Sequence, residues 1–177
     1  MISVKRLFIG ISLSENHLLN IIEFQRGLPI NKQIRIVPVE NLHITLQFLG
    51  NIPVIDIPQL CKILSKAVSK FQPFTLEFKQ YQVNIGSKPS MVWAVYYPHS
   101  DFYALQKTIG LSTTNRFNSQ KPIIHCTLAR FNKNLYTKEL HLSDKPQNRV
   151  IEVDCIKLFE SVLLPNGPIY TVLETFN

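Results

Sequence analysis

The chain has 177 residues and a formal net charge of +7, from 19 lysines and arginines against 12 aspartates and glutamates. Hydrophobic residues make up 45% and charged residues 18%, a balance that excludes an intrinsically disordered chain and fits one globular domain. No stretch approaches the roughly 20 apolar residues of a membrane span. The apolar segment 7–13 is short for a signal peptide and lacks a small-residue cleavage site. The positive charge favours a polyanionic partner.

The three cysteines, Cys61, Cys126 and Cys155, are widely spaced and odd in number. They form no CxxC pair and have no spacing typical of zinc ligands. We therefore expect free thiols in a reducing compartment, which predicts a cytoplasmic protein without a metal site.

In the first half of the chain, hydrophobic periodicity predicts strands and helices in alternation. A strand over Val4–Ile11 precedes a helix that ends near Gly27. Short strands follow over Gln33–Val37 and Leu42–Leu49. An amphipathic helix is then predicted over Pro58–Phe71.

The second half is predicted to hold mainly strands. Strands are expected over Phe74–Val83 and Met91–Tyr97, a helix over Ser100–Leu111, another strand after Pro122, an irregular polar segment over Asn132–Gln147, and two closing strands over Val150–Leu163 and Ile169–Phe176. The order of elements predicts an α+β fold, with antiparallel sheets and helices on their outer faces.

Several basic side chains are expected to lie on the surface. His17, His99 and His141 are interpreted as surface histidines. Three lysines, Lys62, Lys66 and Lys70, recur every four residues along one helix. Such a row is typical of the solvated face of a helix, and an approach to RNA is the alternative.

One pattern occurs twice in the chain. The sequence HITL at 43–46 recurs as HCTL at 125–128, each after an apolar residue. Both copies read as strands, in which alternate side chains point to opposite faces. Each copy therefore presents one histidine and one threonine side by side, backed by two apolar residues.

This pairing suits phosphate chemistry. Imidazole titrates near neutral pH and can give or take a proton. A threonine hydroxyl can donate a hydrogen bond to a phosphoryl oxygen. Two such units facing each other would place a base on one side of phosphorus and an acid on the other, without a metal ion.

The paired motifs resemble those of the 2H phosphoesterase superfamily. The segments KRLFIGI at 5–11, NLHITLQFLG at 41–50 and PIIHCTLAR at 122–130 are similar to those of the RNA 2′,3′-cyclic phosphodiesterases, also called 2′-5′ RNA ligases. The resemblance covers nearly the whole chain. It implies a single domain over residues 1–177, with two similar lobes related by a pseudo-two-fold axis around a central cleft.

The resemblance also implies an activity. The protein is expected to hydrolyse a terminal 2′,3′-cyclic phosphate to a 2′-phosphate, with His125 as proton acceptor and His43 as proton donor. Thr45, Thr127 and Arg130 would bind the substrate. The implied partners are RNA with a 2′,3′-cyclic phosphate end or cyclic nucleotides. No cofactor or membrane is expected, and the protein is expected to be a monomer.

Arg130 has the strand parity of Cys126, which faces away from the histidines. A bulge or a twist at the strand end is needed to bring Arg130 to the site. The alternative for Arg130 is a structural ion pair. Lys88 is a candidate to replace a basic residue that the family often has after the proline, where this chain has Ser90. Five aromatic residues are candidates to stack on bases: Phe8, Tyr81, Trp93, Phe131 and Phe159.

Three alternative functions remain open at this point. A 2′-5′ RNA ligase would use the same site in the reverse direction. A non-catalytic RNA- or nucleotide-binding module would keep the cleft but would not need two titrating groups. A metallohydrolase is disfavoured because the chain has no HExxH, HxH or aspartate-rich cluster.

Overall fold

The computed structural model describes residues 2–28, 34–84, 90–114, 121–131, 142, 149–165 and 167–177. Three helices lie in this part of the chain: α1 (Glu15–Arg26), α2 (Ile57–Val68) and α3 (Ser100–Thr113). Nine strands accompany them: β1 (Val4–Ser12), β2 (Ile34–Ile36), β3 (His43–Pro53), β4 (Phe74–Asn84), β5 (Ser90–Tyr96), β6 (His125–Phe131), β7 (Val150–Val153), β8 (Ile156–Leu164) and β9 (Gly167–Phe176).

The strands form a continuous antiparallel path in the order β7-β4-β5-β6-β3-β1-β8-β9, with β2 added beside β6. We call β3, β1, β8 and β9 the first half-sheet, and β6, β5, β4 and β7 the second half-sheet. The two halves meet where Ile44 of β3 pairs with Cys126 of β6. The predicted α+β class is confirmed, and the two motif strands lie side by side at the centre of the path.

Two of the helices, α1 and α3, each pack on the half-sheet that does not contain the strand just before them in the chain. α1 follows β1 in the chain but packs on the second half-sheet, where His17 Nε2 lies 2.8 Å from the hydroxyl of Tyr96 in β5. α3 follows β5 but packs against β3 of the first half-sheet, and α2 packs against α3. The motif strand β6 is therefore backed by α1, which comes before β3 in the chain. The motif strand β3 is backed by α3, which comes before β6.

α2 is amphipathic, as its sequence predicts. Its apolar residues at four-residue spacing, Leu60, Leu64 and Val68, are buried against the sheet side. The lysine row falls on the opposite, exposed side of the helix and just beyond its end. The row is thus the solvated face of a helix that lies behind the sheet, as expected from its spacing.

A β-bulge interrupts β3 one residue after its threonine. Thr45 pairs with Gly10 of β1, and Gln47 pairs with Ile9, so Leu46 is the extra residue. The carbonyl of a bulged residue loses its regular partner in the ladder. Burial of this carbonyl would cost free energy unless another donor reached it.

A matching bulge interrupts β6 at the equivalent position. Thr127 pairs with Trp93 of β5, and Ala129 pairs with Val92, so Leu128 is the extra residue. Both motif strands therefore break their alternation at the same point after the histidine and the threonine.

A glutamine amide from a helix satisfies each bulge. Gln106 of α3 donates to the carbonyl of Leu46 at 2.9 Å. Gln25 of α1 donates to the carbonyl of Leu128 at 2.9 Å and to that of Val37 at 2.9 Å, and the Leu128 carbonyl also accepts from the backbone N–H of Val37 at 2.9 Å. The packing of α1 and α3 on opposite half-sheets thus brings one glutamine amide to each bulge.

Three sequence-based expectations change in the structure. The strand predicted over Val150–Leu163 is two strands, because β7 pairs with β4 whereas β8 pairs with β1 and β9, and the chain must turn at residues 154–155 between them. His17 is not on the surface but only 1% exposed, since α1 packs on the second half-sheet. His99 is half-buried, caps α3 by accepting from the backbone N–H of Asp101, and stacks on Phe74.

The expectations for Lys88, His141 and most of the polar segment 132–147 lie outside the described residues. In the described part of the chain, none of the helices has the length and the apolar character that crossing a membrane requires.

We predict that Gln25→Leu lowers the free energy of unfolding by about 1–3 kcal/mol for each carbonyl left without a donor, measured by urea denaturation. Gln106→Leu should have an effect of similar size, because the carbonyl of Leu128 keeps the backbone N–H of Val37 as a donor when Gln25 is replaced, so that each substitution removes the amide donor of one carbonyl that has no second donor in the described part of the chain. Gln59→Leu, on the exposed side of α2, is the control and should stay within about 0.5 kcal/mol. Equal stability of Gln25→Leu and Gln59→Leu would show that the bulges do not depend on these amides.

Candidate active site

The two motif strands place their histidines and threonines on one face of the sheet. Ile44 and Cys126, which pair with each other between the motifs, are fully buried on the opposite face. A cavity of about 290 Å³ opens on the first face and is lined by His43, Thr45, His125 and Thr127. The structure therefore brings all four motif residues together around one pocket, which the alternation of side chains predicts.

Register and direction set how the four side chains are arranged. Because β3 and β6 are antiparallel and pair at Ile44 and Cys126, His43 lies beside Thr127, and Thr45 lies beside His125. The two histidines are then diagonal neighbours, which lie roughly 7–8 Å apart in such a pair, with their Cβ atoms somewhat closer. This arrangement leaves room for a tetrahedral phosphoryl group between the two rings.

Both imidazoles are oriented by a backbone carbonyl two residues earlier. The Nδ1–H of His43 donates to the carbonyl of Asn41 at 2.7 Å, and the Nδ1–H of His125 donates to that of Ile123 at 2.8 Å. Each neutral ring therefore carries its proton on Nδ1 and leaves Nε2 free to accept. The Nε2 of His43 lies 3.1 Å from the hydroxyl of Thr45.

Burial lowers the pKa of both histidines in the free protein, and neighbouring positive charge lowers that of His43 further. Burial lowers the pKa of His43 from 6.5 to about 4, and the positive charge of Arg130 and the nearby His125 add to this effect. The hydrogen bond to the carbonyl of Asn41 opposes the shift. Burial also lowers the pKa of His125. Both rings are consequently neutral at pH 7 when the pocket holds no anion.

The bulges turn one further residue of each motif strand into the cleft. Without them, Phe48 and Arg130, each three residues after its threonine, would point to the buried face. Instead, both line the same cavity as the histidines. The bulge that the strand parity of Arg130 required is thus present. Phe48 was not identified from the sequence, although its position matches that of Arg130 in the second motif.

The residues that flank the two threonines differ between the half-sheets. Gly10 pairs with Thr45, and a Cβ atom at Gly10 would lie 2.9 Å from the carbonyl of Ile44 and 3.4 Å from the ring of His43. Trp93 pairs with Thr127, and its indole stacks on His125 with ring centroids 3.9 Å apart. The two imidazoles therefore have different surroundings despite matching motifs.

Residues from β2 and β9 close the cleft. Arg35 of β2 pairs with Arg130 of β6, and both guanidinium-bearing residues line the cavity. Asn41 ties β9 to the first motif, since its amide donates to the carbonyl of Pro168 at 2.8 Å and accepts from the backbone N–H of Tyr170 at 3.3 Å. The sequence analysis missed Arg35 because it reaches the cleft through the pairing of β2 with β6, and it missed Tyr170 because β9 is distant from both motifs in the chain.

The five aromatic candidates for base stacking are all largely buried. Phe8 stacks on Phe159 beneath His43, with the Phe8 and His43 centroids 4.7 Å apart. Trp93 lies against His125, and Tyr81 stacks on Phe24 of α1. By contrast, Phe48 is 66% exposed at the rim of the cavity. The aromatic surface that a base could reach is therefore not among the five.

Metal ligands are sparse. Within the described ranges, no group of three or more histidine, cysteine, aspartate or glutamate side chains is placed to hold a metal ion. The residues that line the cavity offer imidazole, hydroxyl and guanidinium groups, which suit an anion rather than a cation.

Comparisons with known proteins agree with this geometry. The family model described as "LigT like Phosphoesterase" matches residues 11–93. The chain is 31% identical to the RNA 2′,3′-cyclic phosphodiesterase of Methanocaldococcus jannaschii, over 96% of this chain and 98% of that protein. It is 28% identical to the enzyme of the same name from Aquifex aeolicus, over 79% of each chain.

Solved structures share the fold. The protein TT0787 of Thermus thermophilus superposes with a TM-score of 0.80 at 24% identity, over 97% of this chain and 96% of that one. E. coli LigT, crystallised with phosphate, superposes with a TM-score of 0.75 at 22% identity, over 98% of this chain and 96% of that one.

We predict that the His43 ring of the free protein titrates with a midpoint near 4, measured by NMR of its Cε1–H signal. Arg130→Gln should raise this pKa, because it removes a positive charge that disfavours the imidazolium. Arg149→Gln removes the same charge from an exposed residue just before β7 and should leave the midpoint in place. A midpoint at 6.5 in the unmodified protein would contradict the buried environment.

Proposed function

This chain belongs to the LigT-like phosphoesterases of the 2H superfamily, and we propose that it hydrolyses the terminal 2′,3′-cyclic phosphate of RNA to a 2′-phosphate. The observation that carries the proposal is the pair of imidazoles that line one pocket, each with Nδ1 bonded to a carbonyl and Nε2 without a proton in the neutral ring. The relatives from M. jannaschii and A. aeolicus bear the name of this activity. E. coli LigT has also been crystallised with 3′-AMP.

The proposed reaction is an in-line displacement at phosphorus. Neutral His125 takes a proton from water, and the water oxygen forms a bond to phosphorus. The bond from phosphorus to the ribose 3′-oxygen breaks, and protonated His43 gives its proton to that oxygen. Each proton transfer of this kind is worth roughly 10²–10⁴-fold in rate. The assignment of donor and acceptor follows the resemblance to the family, since the two rings are nearly equivalent in their hydrogen bonds.

His43 must gain a proton when the substrate binds. In the free protein its pKa of about 4 leaves it neutral at pH 7, partly because of the charge of Arg130. A cyclic phosphate is an anion, and an opposite charge within about 4–6 Å favours the protonated ring. Bound substrate therefore raises the pKa of His43, so that the ring is protonated and can donate its proton to the leaving 3′-oxygen.

The remaining motif residues would hold the phosphoryl group. Thr45 and Thr127 line the cavity and would donate to its two non-bridging oxygens, and Arg130 would add a fixed positive charge at the same cavity. Hydrogen bonds aimed at charge that develops in the transition state are worth about 10²–10³ in kcat for each donor.

The wider functional setting is proposed on the same basis. The substrate is RNA with a 2′,3′-cyclic end or a cyclic nucleotide, and no cofactor takes part. The single domain of two lobes acts as a monomer. Three cysteines without disulfides are consistent with a cytoplasmic location.

A 2′-5′ RNA ligase remains the second candidate, because the same displacement with a 5′-hydroxyl in place of the attacking water would join two strands. Product identity separates the two activities: a free 2′-phosphate marks hydrolysis, and a joined strand with a 2′-5′ linkage marks ligation. A non-catalytic binding module is the third, and it would release neither product.

We predict that His43→Ala and His125→Ala each lose activity on an RNA oligonucleotide with a 2′,3′-cyclic phosphate end, by about 10²-fold or more, in the presence of a chelator. His99→Ala is the matched control, because this histidine lies outside the cavity. Circular dichroism should confirm that all three variants fold. Activity that persists in either motif variant, or that disappears in chelator, would contradict the two-histidine scheme.

The pH dependence should differ between kcat/KM and kcat. The kcat/KM profile reports the free protein, in which both histidine pKa values are lowered, so its bell should peak below pH 6.5. The kcat profile reports the complex, in which the bound anion raises these pKa values, so its alkaline limb should lie at higher pH. A kcat/KM that stays level between pH 6.5 and 8 would show that neither histidine acts as the acid.

A further inference from the structure

The ring of His125 lies against the face of the Trp93 indole. The two ring centroids are 3.9 Å apart, and the planes are inclined by only 27°. The contact follows from strand register, because Trp93 of β5 pairs with Thr127, which shares a face of β6 with His125. The ring of His43 is instead tilted by 38° against Phe8, with centroids 4.7 Å apart. Among the described contacts of the two motif histidines, only that of His125 is a stack.

The proton that His125 would take from water gives its ring a positive charge at a partly desolvated place. Burial disfavours that charge, and the hydrogen bond from Nδ1 to the carbonyl of Ile123 favours it. The other charged or titratable side chains that line the cavity come from β2, β3, β6 and β9: Arg35, His43, Arg130 and Tyr170. None of these is a carboxylate. The described part of the site therefore lacks the aspartate that stabilises the imidazolium in a Ser-His-Asp triad.

The Trp93 indole can stabilise this charge instead. The face of an aromatic ring carries partial negative charge and attracts a cation within about 6 Å of its centroid, and tryptophan has the strongest such face. The attraction is larger for a desolvated pair, and Trp93 is only 9% exposed. A neutral imidazole gains much less from the same contact. The stack therefore strengthens as His125 takes up its proton.

The polar atom of Trp93 points to the same role for its ring. The Nε1–H of Trp93 is buried and has no hydrogen-bond partner in the described part of the chain. Burial of an unpaired donor costs free energy. A phenylalanine would fill apolar space at this position without that cost. What tryptophan adds here is therefore its larger and more electron-rich face, rather than its N–H.

We propose that Trp93 is a positioning residue for the proton acceptor, and that its indole face stabilises the imidazolium that forms on His125 as the attacking water gives up its proton. An interaction that is stronger in the transition state than in the bound substrate raises kcat and leaves substrate binding unchanged. This inference rests on the proposed hydrolysis and on the role of His125 in it. It identifies the group that acts where a triad has a carboxylate.

The chain contains a single tryptophan, so biosynthetic incorporation of fluorinated tryptophan changes this residue alone. One, two and three ring fluorines withdraw charge from the face in steps and nearly preserve its shape. We expect kcat on an RNA oligonucleotide with a 2′,3′-cyclic end to fall with each fluorine, by about 3–30-fold when the attraction is fully removed, at constant KM. In NMR titrations of the free protein, the pKa of His125 should fall along the series, while that of His43 stays at about 4.

Two substitutions extend the series. Trp93→Phe keeps an aromatic face and should show part of the loss in kcat, whereas Trp93→Leu removes the face and should show all of it. Phe74→Leu is the matched control, because it removes a ring that stacks on His99 outside the cavity, with centroids 4.9 Å apart. This control should keep kcat and the pKa of His125. Circular dichroism should confirm that the three variants fold.

A purely structural role for the indole predicts a different pattern. If Trp93 only shielded His125 from water, Trp93→Leu would raise the pKa of His125 toward 6.5, and fluorination would change neither this pKa nor kcat. Either result would overturn the proposal and leave hydrolysis standing. A loss confined to KM would do the same. Absence of hydrolysis by the unmodified protein would overturn the hydrolysis proposal and this one together.

Discussion

A β-bulge one residue after each threonine is the constraint on which the site depends. Both bulges are buried, and each frees a carbonyl that regular strand pairing would have satisfied. Gln106 and Gln25 donate to these carbonyls from helices on opposite half-sheets, and the carbonyl of Leu128 also accepts from the backbone N–H of Val37. Because α1 and α3 pack on opposite half-sheets, each motif strand receives one glutamine amide.

The bulges also decide which residues form the cleft. The histidine and the threonine point into it by ordinary alternation, whereas the third residue after each threonine does so only because the alternation is reversed. In the second motif this residue is Arg130, a fixed charge that lines the same cavity as the two histidines. In the first it is Phe48, an exposed ring. The same bulge in both strands thus gives the cleft a positively charged side and an aromatic side.

The two motifs match in sequence, but the side chains that pack beneath their histidine rings differ. His43 sits over Gly10, next to Phe8, and burial lowers its pKa to about 4. His125 is covered by the indole of Trp93. A proton donor and a proton acceptor must behave differently at one pH. The unequal surroundings supply a physical difference between two rings whose hydrogen bonds to the backbone are the same.

The sequence by itself determined the α+β class, most of the strands, and the four motif residues, because alternation along a short strand fixes which side chains share a face. It also showed that Arg130 needs a bulge. The structure alone decided the partners of each strand, the division of Val150–Leu163 and the burial of His17. Three further residues line the cleft because of tertiary contacts: Arg35 through the pairing of β2 with β6, Phe48 through the bulge in β3, and Tyr170 through the contact of β9 with Asn41. Local periodicity carries no information about such contacts, since they arise from the packing of whole elements.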